Sequence, residues 1–214
     1  MRPALRSGAA TLFVDGAAGR IETVLDLPDE GRALRGIALV AHPHPLFGGT
    51  LDNKVVQTLA KTFAELGYAA VRSNFRGVGE TAGAHDHGDG ETEDMLRLAS
   101  WARTRFGSAL PIVAAGFSFG AWIQTRVSER IPVERLVLVA PPAGFVTDGR
   151  HYTTGKVAAN TIVIHGEQDE TVPLANVFEW ARPQDIPITV IPGADHFFHR
   201  KLTLIRSIIQ GQWR

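Results

Sequence analysis

Wholly apolar runs and amphipathic stretches take turns along this chain. Gly36-Ile-Ala-Leu-Val-Ala is apolar at every position, the pattern of a strand covered on both faces. Pro111-Ile-Val-Ala-Ala is a second such run, and Tyr68-Ala-Ala-Val-Arg-Ser-Asn-Phe, Glu134-Arg-Leu-Val-Leu-Val-Ala and Asn160-Thr-Ile-Val-Ile-His are further strands with an apolar stretch beside polar residues. Between them the period lengthens to that of a helix. Leu51, Val55, Leu59, Phe63 and Leu66 share one face and end at Gly67, and residues 91–106 turn Met95, Leu98, Trp101 and Ala102 inward. Shorter helices are predicted from Ala121 and over Leu174 to Ala181, and a last one carries Leu202, Leu204, Ile205, Ile208 and Ile209. Near the N-terminus, Thr11-Leu-Phe-Val and Arg20-Ile-Glu-Thr-Val-Leu-Asp-Leu alternate about Asp15-Gly16, which predicts an antiparallel hairpin. Ile186-Pro-Ile-Thr-Val-Ile reads as an edge strand because Pro187 cannot donate to a ladder. The segment from Ala143 to Ala159 shows no clear period.

Strands that alternate with helices through short connections predict an α/β, doubly wound, mostly parallel sheet. About seven or eight strands are expected, with helices on both faces. No composition break divides the chain, so residues 1–214 are expected to form one domain. In such sheets ligands gather beyond the carboxyl ends of the strands. The loops that follow strands are therefore where chemistry is to be sought.

One of these loops is Gly116-Phe117-Ser118-Phe119-Gly120, set between an apolar strand and a helix. A strand that turns into a helix within about one residue forces the tip into a sparsely populated backbone conformation, at a cost of about 1–3 kcal/mol. The flanking glycines keep the strand–helix approach clear. This is the pattern that lifts a serine hydroxyl above the end of a sheet. A lone hydroxyl is a poor nucleophile and needs a base, which in turn needs an orienting carboxylate. Two later loops offer them in the order serine, acid, histidine: His165-Gly-Glu-Gln-Asp-Glu-Thr-Val-Pro173 and Pro192-Gly-Ala-Asp-His-Phe-Phe198.

Charge and composition narrow the function further. With 22 basic and 22 acidic residues the formal charge is zero, which argues against a nucleic-acid partner. The absence of cysteine removes disulfides, thiolate metal sites and a cysteine nucleophile. Met1-Arg-Pro-Ala-Leu-Arg-Ser-Gly lacks a leader-like apolar core, and no apolar run approaches spanning length. A cytoplasmic protein with no membrane partner is expected; oligomeric state is open, a homodimer included.

On these motifs the chain resembles the α/β-hydrolase superfamily, from about Gly36 onward, with the hairpin matching the first strands. The resemblance implies Asp169 as the acid, because it precedes Glu170-Thr-Val-Pro, and His196 as the base, within Gly193-Ala-Asp-His-Phe-Phe. Asn74-Phe-Arg-Gly-Val-Gly-Glu-Thr is similar to the superfamily's D-x-R-G-x-G-x-S loop, with Asn74 and Thr81 departing from it. His42-Pro-His-Pro-Leu-Phe-Gly-Gly is similar to small, lidless bacterial hydrolases near the dienelactone-hydrolase branch. That branch commonly uses cysteine, so with Ser118 as nucleophile its substrate is not carried over. Asp148 is a second candidate acid; Glu167 and Glu170 read as solvated, His199 as a surface residue at the start of the last helix, and Asp195 as a turn residue.

Two backbone N–H groups are needed to hold a developing oxyanion. One is expected from Phe119. The other comes from the loop after Ala41, where Pro43 and Pro45 have no N–H, so His44 or Leu46 must donate, and the alignment favours His44. Leu46, Phe47, Phe119, Phe145, Val146, Val172 and Phe197 are expected to rim the site. No cap is inserted after Val139, which points to an open site for small ester substrates. His42-x-His44 and His85-x-His87, with Asp86 and Asp89, are weighed as metal ligands. They are read instead as a rigid loop and a mobile polar loop, with no metal and no cofactor. The expected activity is a serine carboxylester hydrolase. A thioesterase, peptidase or acyl transferase on the same triad is the alternative, and a non-catalytic binding module stands further off.

Overall fold

The computed structural model describes residues 8–213, so the reading of Met1 to Ser7 as lacking a leader core lies outside the described residues. Ten strands form, β1 (Gly8–Gly16), β2 (Gly19–Leu27), β3 (Gly36–Ala41), β4 (Tyr68–Ser73), β5 (Ile112–Phe117), β6 (Arg135–Val139), β7 (Gly144–Phe145), β8 (His151–Tyr152), β9 (Ile162–Gly166) and β10 (Ile188–Ile191). Eight of them make one sheet in the order β1-β2-β4-β3-β5-β6-β9-β10. β1 and β2 pair antiparallel, as do β2 and β4; from β4 to β10 every pairing is parallel. Among the described residues five α-helices form, α1 (Lys54–Glu65), α2 (Asp89–Phe106), α3 (Phe119–Ser128), α4 (Leu174–Ala181) and α5 (Leu202–Gln212).

Each central strand splits its side chains between two cores, as period two requires. Ile37 and Leu39 of β3 join the core under α2, α3 and α4, with Met95, Leu98, Ile123 and Val177. Ala38 and Val40 face the other way, into the core that holds Val55, Leu59 and Phe63 of α1 and Ile205 and Ile209 of α5. Covering on both faces is why β3 and β5 are buried at every position and read as continuous apolar runs, while β4, buried throughout as well, carries Arg72 only because Asp26 pairs with it at 2.7 Å.

The chain order reverses at β3, which pairs with β4 on one side and β5 on the other. The opening at this reversal is where doubly wound sheets bind ligands. Ala41 lies opposite Gly116 in the β3–β5 pair, so the loop after β3 and the turn after β5 leave the sheet side by side. Gly116 and Gly120 make that crowding feasible. A Cβ on Gly116 would overlap the backbone of Gly120, and one on Gly120 would overlap the carbonyl groups of Ala41 and His42.

Several expectations are revised. The segment from Ala143 to Ala159 contains the β7–β8 ribbon, whose two-residue strands are too short to show a period. α2 starts at Asp89 rather than residue 91, because the Glu91 carboxylate accepts the Gly88 N–H at 2.8 Å and the Asp86 N–H at 2.9 Å. These bonds, with Arg76 paired to Asp86 and doubly to Asp94, pin the polar loop that was expected to be mobile. Leu204 is exposed and Trp101 only half-buried, so the apolar faces of α5 and α2 are narrower than the periodicity implies. His199 lies in the turn before α5 rather than in the helix.

Backbone atoms cannot swing aside as a side chain can, so Gly120→Ala is expected to cost about 3 kcal/mol or more. For a domain of this size that lowers the melting temperature by roughly 6–12 °C, to be read by calorimetry. An unchanged melting temperature would show that α3 can lift off the sheet.

Candidate active site

Ser118 sits between β5 and α3 with φ 54° and ψ −123°, left-handed backbone for a residue that carries a Cβ. The strain is held in place from both sides. Its N–H donates to the Val139 carbonyl at 2.9 Å, and its own carbonyl accepts from Ala121 at 2.8 Å and Trp122 at 3.2 Å. The side chain therefore projects from the carboxyl end of the sheet.

The loops after β9 and β10 meet it there. Ile191 pairs with Gly166, and beyond that pair the two loops are stitched together. Glu167 N–H donates to Ile191, Gln168 N–H donates to Ala194, and the Glu167 carboxylate accepts the Gly193 N–H at 2.7 Å. Glu167, expected to be merely solvated, thus ties the acid-bearing loop to the histidine-bearing one. His196 Nδ1 lies 2.7 Å from Asp169 Oδ2, and His196 Nε2 lies 3.1 Å from Ser118 Oγ. Asp169 Oδ1 accepts the N–H groups of Thr171 and Val172 at 2.9 and 2.7 Å. An ionised carboxylate only accepts, so Nδ1 carries the proton and Nε2 is left to accept from the serine hydroxyl.

His165, which the sequence reading passed over, packs against the same carboxylate. Its Nε2 donates to the Val172 carbonyl at 3.0 Å and lies 3.4 Å from Asp169 Oδ2, while Nδ1 is buried without a partner among the described residues. Burial holds its pKa below the ordinary value, so it is a neutral donor against Asp169. Its position at the end of a strand, four residues before a carboxylate, was the available signal. Asp148, the other candidate acid, pairs with Arg150 at 2.6 Å instead. Asp195 engages His199 at 2.5 Å.

The loop after β3 is organised by His42, which is fully buried. The Phe75 N–H donates to its Nε2 at 2.9 Å, which leaves the proton on Nδ1 to donate to the Pro43 carbonyl at 2.6 Å. Burial lowers its pKa to about 3. Next in the chain, His44 caps a short helical turn over Pro45–Phe47. The Leu46 N–H is engaged by His44 Nδ1 at 3.3 Å, whereas the N–H groups of His44 and Phe119 donate to nothing among the described residues. The two residues face one another, with ring centroids 4.8 Å apart. Asn74 suits a local need where it departs from the superfamily pattern. The Asn74 amide accepts from Leu51 N–H and donates to Glu22, and an aspartate there would oppose the Glu22 carboxylate.

Of the side chains expected at the rim, Leu46, Phe47, Phe145 and Phe197 are exposed, and the Phe197 ring abuts His196. Val172 is different. It is 1% exposed, packs in the core, and serves the site through its backbone contacts to Asp169 and His165. Phe198, by contrast with Phe197, is wholly buried. Among the described residues no group of three or more histidine, aspartate or glutamate side chains is arranged to hold a metal. No helix there is long and apolar enough to cross a membrane.

A parallel sheet that presents a strained serine, with histidine and buried carboxylate hydrogen-bonded behind it, is the plan of an α/β-hydrolase. Known proteins agree. Residues 15–172 match the X-Pro dipeptidyl-peptidase (S15) family, and the chain belongs to that family. It is similar to the crystal structure of XC6422 from Xanthomonas campestris, an α/β serine hydrolase without a lid. That likeness has 35% identity and a TM-score of 0.86 over 98% of this chain and 95% of the other. An α/β serine hydrolase homologue from Coxiella burnetii matches at 36% identity and TM-score 0.87, over 98% and 99% of the two chains. An uncharacterised protein, RP471 of Rickettsia prowazekii, is 32% identical over 89% of this chain and 82% of its own length.

The buried histidines set a pH dependence of stability. The unfolded chain takes up a proton on His42 below about pH 6.5, and the folded protein does so only near pH 3. A depressed pKa contributes stability that is present above 6.5 and lost as the pH falls toward 3. His44, lowered to about 4, and His165 act in the same direction. Urea unfolding is expected to weaken steadily from pH 7 to pH 4, by up to about 1.4 kcal/mol per pH unit for each such histidine. His42→Gln should make the profile shallower; an identical slope would remove His42 from this account.

Proposed function

We propose that the protein is a serine hydrolase that cleaves small carboxylic esters through an acyl-enzyme intermediate. The continuous hydrogen-bonded chain from Asp169 through His196 to Ser118 carries this reading. Ser118 Oγ attacks the ester carbon as His196 Nε2 takes its proton. Asp169, its second oxygen already saturated by two backbone N–H groups, steadies the imidazolium. The unengaged N–H groups of Phe119 and His44 receive the oxyanion, Phe119 at the first turn of α3 where the helix dipole assists. His196 then returns the proton to the departing alcohol. Water, activated by the same imidazole, clears the acyl group and restores the serine.

The preference for esters of small acids rests on the open mouth. Leu46, Phe47, Phe145 and Phe197 stand exposed around it, and they offer apolar contact without an enclosing cap. The family's name gives amide hydrolysis a place beside this reading. A panel of matched ester, thioester and amide substrates ranks the three by kcat/KM, and the ester should lead.

Ser118→Ala is expected to lower kcat on p-nitrophenyl acetate by about 10³-fold or more, and Asp169→Asn by up to about 10⁴-fold. Melting temperature is the control for folding. A fluorophosphonate probe should label wild-type Ser118 and not the alanine variant. Undiminished turnover by Ser118→Ala would overturn the reading, and failure to label the folded wild type would favour a binding module.

A further inference from the structure

Beside the candidate site lies a cavity of about 180 Å³, lined without His196, that the triad leaves unexplained. His44 and Phe119 form one of its walls, so it adjoins the two N–H groups assigned to the oxyanion. Arg150, His151, His85 and His87 also line it, drawn from the β7–β8 ribbon and the loop before α2. The leaving group must stay within reach of His196, which takes no part in this cavity. A group that fills it therefore belongs to the acyl half of the substrate.

The one fixed charge in its lining is Arg150. The Arg150 guanidinium is held by Nε to Asp148 at 2.6 Å and by Nη1 to the Tyr152 hydroxyl at 2.9 Å, and it lies 4.3 Å over the Phe47 ring. Nη2 has no hydrogen-bond partner among the described residues, so one edge of a fixed guanidinium is unused. The Asp148 carboxylate is occupied by Arg150, accepting from its side chain and from its backbone N–H. The His85 ring lies tilted 4.9 Å from His44 and edge-on 5.0 Å from His87, and its Nδ1 stands 2.8 Å from the fully buried Glu91. The approach lacks the alignment of a hydrogen bond, so His85 contributes ring packing to the wall. The positive character of the surroundings registers on His44. After burial itself, Arg150 and His85 are what push its pKa down to about 4, against a smaller opposing pull from Asp148. Trp122 and Tyr152, in edge-to-face contact with ring centroids 5.3 Å apart, supply an apolar wall.

A pre-positioned guanidinium edge beside the His44 imidazole, whose Nδ1 accepts from Leu46 so that Nε2 keeps the proton, recognises a carboxylate on a short chain. The volume suits one end of a ligand rather than a whole one. We propose that this cavity is an anion subsite for the acyl group, so that the preferred substrates are monoesters of short dicarboxylic acids. Arg150 is the residue that sets this specificity. The proposal rests on the hydrolase reading and names its substrate class.

The test compares monoethyl glutarate with ethyl 5-methylhexanoate, a neutral ester of the same shape, by titration of the acid released. Wild type should favour the anionic ester by roughly 10-fold or more in kcat/KM. Arg150→Gln should lose that preference while its turnover of the neutral ester changes less than about 2-fold. Glutarate should inhibit wild type competitively and more strongly than 5-methylhexanoate, a readout that needs no variant. Equal kcat/KM for the two esters in wild type, or a preference that persists in Arg150→Gln, overturns the subsite. Neutral-ester turnover and fluorophosphonate labelling of Ser118 separate the two ideas. If both persist without an anion preference, the subsite alone is wrong; if both are absent, the hydrolase reading falls and the subsite with it.

Discussion

Everything at this site depends on how closely the start of α3 is pressed against the ends of β3 and β5. The contact is backbone on backbone, between Gly116 and Gly120 and between Gly120 and the carbonyls of Ala41 and His42. It holds Ser118 in left-handed backbone and leaves the first N–H of α3 unengaged beside the loop after β3. A single methyl group at either glycine would separate the elements by more than a hydrogen-bond length can tolerate. The strain at Ser118 persists because its N–H and carbonyl are both tied down, so relaxing the dihedral would break three hydrogen bonds at once.

Around that contact the polar groups are held by fixed partners. His42 is neutral because it is buried between a fixed donor, the Phe75 N–H, and a fixed acceptor, the Pro43 carbonyl. Asp169 is saturated by backbone donors, leaving one oxygen for His196 and a weaker approach from His165. Glu91 gathers two loop N–H groups and faces His85. Each of these groups would cost free energy if left unpaired in the interior. Together they convert loops that look flexible in composition into fixed walls, the Asp/His loop before α2 most of all.

Much of the fold was legible in the chain. Strands covered on both faces take a polar residue only where it finds a partner, as Arg72 does in Asp26, so β3, β5, β6 and β9 announced themselves by their apolar runs. Helices covered on one face announced themselves by spacing. The turn around Ser118 was legible for the same steric reason that makes it work, since only glycine fits two residues to either side. The two-residue strands β7 and β8 were not, because a period needs several repeats to show. Nor was the exposure of Leu204, since hydropathy does not say how wide a face the neighbouring helix will cover.

By itself, then, the sequence determined which elements form, the order of serine, acid and histidine along the chain, and the absence of thiol chemistry. These follow from local sterics and from the composition of each segment. Only the tertiary structure decided which carboxylate meets His196, that Val172 belongs to the core, and that Leu46 has its N–H spent on His44. It alone brought Arg150 and His85 into one cavity across more than sixty residues of chain. Those outcomes turn on distances between loops leaving different strands. Such distances are set by sheet order and register, which no short stretch of residues encodes.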